Sequence, residues 1–220
     1  MTVRSHIDAL RKTLPPGVTL VAVSKFHPAE TVRQAYDAGQ RIFGESRVQE
    51  LIAKKDLLPD DIEWHFIGRL QRNKVRQIAP FISLIHSIDS EQLLLEIEKQ
   101  AAACNRTIPG LLQIHIAREK SKAGFPPDAC RRFLAEGKWK ASPHVQIAGV
   151  MGMATLTDDE NRIRQEFRLL KSLFDELKTA YFPNDPAFRE ISAGMTDDYR
   201  IAIQEGSSVI RTGTLIFGER

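Results

Sequence analysis

Cysteine is scarce: the 220 residues contain only two. Cys104 and Cys130 form no metal-binding or dithiol redox spacing, and two thiols do not make a disulfide framework. Each reads as a small filler beneath a helix. An excess of one charge is also missing. A formal net charge of +3, with no basic run interleaved with aromatics, gives nucleic-acid binding little support. The most basic stretch, Arg69-Leu-Gln-Arg-Asn-Lys-Val-Arg76, reads as a loop entering a helix with a basic outer face. No apolar run reaches transmembrane length, and the amino terminus lacks the apolar centre of a signal peptide. The expectation is a cytoplasmic protein without membrane contact. No linker, repeat or low-complexity segment breaks the chain, so residues 1–220 read as a single domain. What remains, 42% hydrophobic and 27% charged residues, suits a soluble globular protein with a well-buried core.

Short apolar runs alternate with amphipathic stretches along the whole chain. Helices are expected over 2–14, 29–38, 46–57, 72–79, 90–104, after Pro126-Pro127, over 158–180 and over 196–205. Strands are expected over 18–24, 42–44, 64–67, 83–87, 110–117, 145–151, 188–192 and 208–211, with Leu215-Ile216-Phe217 ending the series. Ser90 is a plausible cap for its helix and Gly39 a stop. Eight strands with helices between them predict an α/β fold, a single (β/α)₈ TIM barrel. No helix follows the last strand, and the amino-terminal helix is expected to cover that face. A doubly wound open sheet would need a glycine-rich turn after the first strand, and Ser24-Lys25-Phe26-His27-Pro28 offers none.

Lys25 closes the first strand, at the carboxyl end where α/β folds build their sites. A primary amine partly desolvated there has a lowered pKa and condenses with an aldehyde. On position alone, the favoured reading is a lysine whose stem packs on the strand while its head snorkels into water.

The loops after strands seven and eight are the usual phosphate site of such barrels. The first is Ser192-Ala-Gly194-Met-Thr-Asp-Asp198, with hydroxyls, a glycine that lets backbone approach a ligand, and an acidic helix start. The second is Arg211-Thr-Gly213-Thr214, where backbone amides at Gly213 and Thr214 are placed to grip a phosphate while Arg211 reaches inward. Taken alone, the first is also read as a plain turn with a cap, and the second as a strand end held by a surface ion pair. With Lys25 they form a coherent set: an amine across the barrel mouth from a phosphate cradle, suited to an aldehyde that carries a phosphate.

Motifs in order along nearly the full length strengthen this reading. They are Val21-Ala-Val-Ser-Lys25, Gly44-Glu45, Trp64-His-Phe-Ile-Gly68, Leu70-Gln-x-Asn-Lys74, Ser121-Lys-x-Gly124, Gly194-Met-Thr-x-Asp198, Glu205-Gly206 and Arg211-x-Gly-Thr-x-Ile-Phe-Gly218. On these the chain resembles the pyridoxal phosphate homeostasis protein family, relatives of the barrel domain of alanine racemase. The resemblance implies pyridoxal 5'-phosphate (PLP) as cofactor, held as a Schiff base on Lys25. It implies phosphate contacts from Ser192, Gly213 and Thr214 and places Arg211 near the pyridine nitrogen. Gly194 belongs to the same set, and Met151, ending strand six, is a candidate to pack beside the ring, although a plain core role is the commoner one for a methionine.

An arginine only donates to the ring nitrogen and leaves it unprotonated, so the ring is a poorer electron sink than one paired with a carboxylate. That favours cofactor storage or racemisation over harder carbanion chemistry. The family usually carries asparagine where this chain has Ser46, and asparagine and glycine near His115 and Arg118. Family roles resting on those residues do not transfer.

The leading expectation is a monomeric PLP carrier that acts in PLP homeostasis, without robust catalysis, and hands the cofactor to apo PLP-dependent enzymes. An amino-acid racemase using the barrel alone is the second reading. It needs an acid/base opposite the lysine, and Tyr36, Tyr181 and Tyr199 all fall on predicted helices or their ends. A cofactor-free Schiff-base aldolase acting on a sugar phosphate is the third. A metal-dependent hydrolase built on His65, His86 and His115 is the fourth, with no His-x-His pair or following carboxylate in its favour.

Overall fold

Strand β1 (Thr19–Val23) shows why a barrel forms. Its alternate residues serve two interiors: Leu20 and Ala22 pack outward on the helices, while Val21 and Val23 face the strands opposite. A strand buried on both faces needs helices around the sheet and neighbours on both edges. It finds β2 (Ile42–Glu45) on one edge and β8 (Val209–Thr212) on the other, both parallel. The remaining strands are β3 (Glu63–Phe66), β4 (Leu84–Ile88), β5 (Ile108–Ile114), β6 (Val145–Gly152) and β7 (Glu190–Ser192). All eight close in chain order into one parallel barrel, as expected from the sequence. The computed structural model describes residues 2–119 and 122–219; Ser121 of the Ser121–Gly124 motif lies outside them.

The helices are α1 (Val3–Thr13), α2 (Ala29–Asp37), α3 (Val48–Lys55), α4 (Val75–Ile78), α5 (Glu91–Ala103), α6 (Pro127–Glu136), α7 (Glu160–Tyr181), α8 (Tyr199–Gln204) and α9 (Thr214–Phe217). Ser90 caps α5, accepting a bond from the Leu93 amide. α1 packs between α9 and α2, with His6 Nδ1 3.0 Å from the Ile216 carbonyl, and so covers the β8–β1 face. Cys130 lies buried on α6, where burial pushes its thiol up to about 12, and Cys104 ends α5.

Several boundaries differ from expectation for local reasons. β5 stops at Ile114, because His115 donates its amide to Phe125 and the chain turns away. Asp198 accepts the Met195 amide at 2.6 Å and holds 195–198 as a turn, which delays α8 to Tyr199. The helix expected over 72–79 is a 3₁₀ turn, Arg72–Lys74, followed by α4. Phe188 sits ahead of β7, stacked on Phe182 at 4.3 Å. Leu215–Phe217 forms the helical turn α9.

Most of the core lies between barrel and helices. Inside the barrel Leu84, Leu111, Ala148 and Met151 form a small apolar cluster, with Val21 and Val23 of β1 also facing inward. Beside it the interior is polar: His65, His86, Ser192 and Arg211 are all buried. That interior leads upward to the site.

Candidate functional site

The carboxyl ends of the strands open into a cavity of about 850 Å³. Lys25, Arg211, Gly213 and Thr214 all line it, which brings together the amine, the cation and the second phosphate-type loop named from sequence. Inward alternation along β1 places Lys25 there: Val23 also faces the cavity, and Lys25 is the next residue of the same parity. Lys25 is half-buried, and its amine makes no hydrogen bond or ion pair with any described residue.

The backbone around Lys25 is anchored by a network that composition does not reveal. Lys54, buried on α3, places its ammonium 2.6 Å from Glu45, 2.7 Å from Glu50 and 2.7 Å from the Ser24 carbonyl. Glu45 also accepts the Ser24 hydroxyl at 2.7 Å, and Glu50 accepts the Phe26 amide. Both peptide units flanking Lys25 are thereby tied to one ion cluster. Burial pushes the Glu45 carboxyl up, against the opposing pull of its bonds from Lys54 and Ser24. Phe26 itself adopts a left-handed backbone, φ 66°, uncommon for a bulky residue and sustained only where its surroundings hold it.

Arg211 projects from β8 into the barrel. Its guanidinium bonds the Ser192 hydroxyl and lies 3.4 Å from the Gly152 carbonyl. Burial lowers its pKa to about 10, with Asp198 pulling the other way, so it keeps its charge at neutral pH. Ser192 continues the chain of bonds to His86 Nδ1 at 2.9 Å, and His86 Nε2 meets His65 Nδ1 at 3.0 Å. Burial holds His65 down to about 4 and His86 well below the ordinary value. The two rings are therefore neutral at physiological pH, one nitrogen of each donating and the other accepting.

Three residues named from sequence take other places. Ser192 is fully buried below the mouth, its hydroxyl engaged by Arg211 and His86, because β7 ends on a side chain pointing into the barrel. Gly194 brings backbone close to α8. At φ +94°, an added Cβ there would meet Ala202 Cβ at 2.7 Å and Tyr199 Cα at 2.8 Å. Met151 belongs to the small core inside the barrel, and Met153, one pleat repeat nearer the mouth, lines the cavity instead. His115 turns to the Glu119 carbonyl at 3.0 Å, so His65, His86 and His115 do not converge. Among the described residues no group of three or more His, Cys, Asp or Glu is arranged to hold a metal.

The sequence reading missed Thr196, Met153 and Gln113 as lining residues. Thr196 Oγ1 lies 3.0 Å from Thr212 Oγ1 and links the two phosphate-type loops; its place two residues after Gly194 is the one signal that pointed to it. Gly213 is required by close approach, since a Cβ there would meet the Val23 carbonyl at 2.7 Å. That contact sets the start of α9 directly beside β1. The first amide of this turn to find a backbone carbonyl is Ile216, which leaves Thr214 and Leu215 N–H groups at the cavity end. A half-buried amine, a fixed buried cation and this pair of amides around one cavity fit an aldehyde-bearing aromatic phosphate.

Comparison with known proteins places the chain in a family. Residues 2–220 match the family model for the alanine racemase N-terminal domain. A pyridoxal phosphate homeostasis protein of Aquifex aeolicus is 39% identical over 202 residues, covering 91% of this chain and 86% of that protein. One of Pasteurella multocida is 37% identical over 218 residues, covering 98% and 92%. The solved structure of PipY from Synechococcus elongatus with PLP bound is 37% identical, with a TM-score of 0.88 over 99% of this chain and 100% of that one. The chain belongs to the alanine racemase N-terminal domain family, within its pyridoxal phosphate homeostasis protein branch.

Proposed function

We propose that this protein binds PLP through Lys25 and acts as a carrier in PLP homeostasis. The observation that carries the reading is one cavity walled by a free lysine amine, a charged buried arginine and the amides after β8. PLP when bound supplies an aldehyde that condenses with a primary amine, leaving its ring as an electron sink.

Each protein group has a task in that reading. Lys25 offers the amine, and the Lys54–Glu45–Glu50 cluster fixes the backbone on either side of it. The amides of Thr214 and Leu215, with the Thr214 and Thr196 hydroxyls, take the phosphate. Arg211 donates to the pyridine nitrogen and keeps it unprotonated, while Ser192 and His86 hold the guanidinium in place. Met153 and Ile67 supply apolar wall.

The placement of the three tyrosines supports a carrier over a racemase. Tyr36 donates to Asp61 at 2.7 Å on the outer surface, Tyr199 lies beside Arg200, and Tyr181 ends α7. None lines the cavity opposite Lys25 among the described residues. In this reading the chain works as one PLP-binding unit, a monomer in the cytoplasm, that delivers cofactor to apo PLP-dependent enzymes. The relatives named for PLP homeostasis and the PLP-bound PipY structure support the same assignment. Purified protein mixed with PLP is expected to develop a visible absorption band that borohydride abolishes and that Lys25→Ala lacks. A wild-type protein without such a band overturns the proposal, and sustained racemisation of an L-amino acid, lost in Lys25→Ala, overturns the carrier role.

A further inference from the structure

The basic stretch Arg69–Arg76 is largely exposed, as expected from the sequence, but it also curves around a hollow in the surface. Arg69, Arg72 and Lys74 line a second concavity of about 660 Å³, together with Arg47 from the start of α3. Asp89 is the one carboxylate in its wall among the described residues, and its Oδ1 accepts the Ser90 hydroxyl at 3.1 Å. Ser46 and Arg69 line both this concavity and the cavity that holds Lys25, so the two share a wall.

Several arginines elsewhere in the chain are matched with acids. Arg41 meets Asp61 at 3.0 Å, Arg131 meets Glu176 at 2.7 Å, and Arg164 and Arg168 both reach Glu205. Arg69, Arg72 and Lys74 have no ion-pair partner among the described residues, and Arg47 has only the Phe26 ring at 4.8 Å. Four cations around a concave wall with one carboxylate repel one another and focus a positive field into the space between them. The walls are also fixed. A Cβ at Gly68 would meet the Ser46 carbonyl at 2.2 Å, so the loops after β2 and β3 are packed backbone to backbone, and Arg47 and Arg69 keep their relative positions.

We propose that this concavity is an anion site for a small molecule carrying a diphosphate group, separate from the cofactor cavity. Guanidinium forks match phosphate oxygens two at a time, and four cations exceed what one phosphate neutralises. The charge is confined to a single concavity, and Phe66, the one aromatic ring in its wall among the described residues, is buried and offers no open face for stacking bases, which favours a small ligand over a nucleic acid. The site does not depend on the PLP reading.

The test is a calorimetric titration of inorganic pyrophosphate and of ADP into PLP-loaded wild-type protein and into the Arg72→Gln/Lys74→Gln double variant. Pyrophosphate is expected to bind wild-type protein, more weakly as salt rises. The double variant is expected to lose about tenfold or more in affinity, with its PLP absorption band unchanged. The charge-conserving Arg72→Lys/Lys74→Arg variant is expected to retain binding, which separates loss of charge from loss of folding. ADP binding equal to or weaker than pyrophosphate identifies the free diphosphate as the ligand chemistry; tighter ADP binding identifies a nucleoside diphosphate. Three results overturn the proposal: no binding of either probe, binding that survives the double substitution, or binding to PLP-free protein that disappears on PLP loading. Should PLP itself fail to bind, its missing band reports that separately, and the same variants are compared in the PLP-free protein.

Discussion

Lys54 Nζ lies 2.6 Å from Glu45 Oε1, and both side chains are almost wholly buried beneath the strand end that carries Lys25. Desolvating an ammonium and a carboxylate together is costly and is offset only by close geometry and further hydrogen bonds. Here the pair holds the Ser24 carbonyl and the Ser24 hydroxyl, and through Glu50 the Phe26 amide. The ion cluster is thus a clamp on the backbone on either side of Lys25.

Removing the cation should expose that role. Lys54→Met leaves Glu45 buried and unpaired, and the expected cost is about 3–5 kcal/mol of unfolding free energy, measured by urea denaturation. PLP affinity is expected to fall as well, because the Ser24 carbonyl loses its donor and Glu50, which holds the Phe26 amide, loses its cation. The Lys54→Met/Glu45→Leu double variant is expected to recover much of the stability and little of the affinity. A loss below about 1 kcal/mol for the single variant, a value typical of surface pairs, would contradict the burial argument.

The fold was legible because the barrel writes its rule into every strand. Runs such as Val18–Ser24 and Val145–Met151 are apolar on both faces, and amphipathic helices separate them at regular intervals. Lys25, Arg211, Gly213 and Thr214 were legible for the same reason: parity along a strand and position at its carboxyl end place them. The depth of Ser192 and Met151 in the barrel was not legible, because parity says which way a side chain points and not how far below the mouth it lies. Lys54 and Glu50 were invisible because their meaning is a tertiary contact between α3 and the β1 end. In sequence they are an ordinary i, i+4 helix pair, which most often sits in solvent. The second concavity was missed because a basic loop gives no sign of whether it curves inward.

The buried histidine pair makes a pH prediction. An unfolded histidine binds a proton near pH 6.5, whereas folded His65 refuses one until about pH 4. A base whose folded pKa is depressed contributes stability that is present above the unfolded pKa and is lost as pH falls through that window. From this shift, the loss between neutral pH and pH 4 is roughly 3 kcal/mol for His65, with His86 acting in the same direction. Urea unfolding at pH 7.5 and pH 4.5 is expected to show a smaller pH difference in a His65→Gln/His86→Gln variant than in wild-type protein. Equal differences would remove the histidine pair as the cause.

Gly213 tests the phosphate cradle. A methyl group there meets the Val23 carbonyl, which belongs to backbone and yields little. Gly213→Ala is therefore expected to push the start of α9 away from β1, displacing the Thr214 and Leu215 amides. The expected outcome is a stability loss of about 1–3 kcal/mol and a PLP dissociation constant raised about tenfold or more, with the covalent link to Lys25 still forming at saturating PLP. Unchanged affinity would mean that the phosphate binds elsewhere.

The central claim is that Lys25, alone among the lysines, makes the covalent bond to the cofactor. Reduction of PLP-loaded protein with borohydride, proteolysis and peptide mass spectrometry locate the pyridoxyl group directly. The account predicts stoichiometric modification of the peptide containing Lys25 and none of the peptides containing Lys54 or Lys74. Modification centred on another lysine, or no modification at saturating PLP, would contradict it.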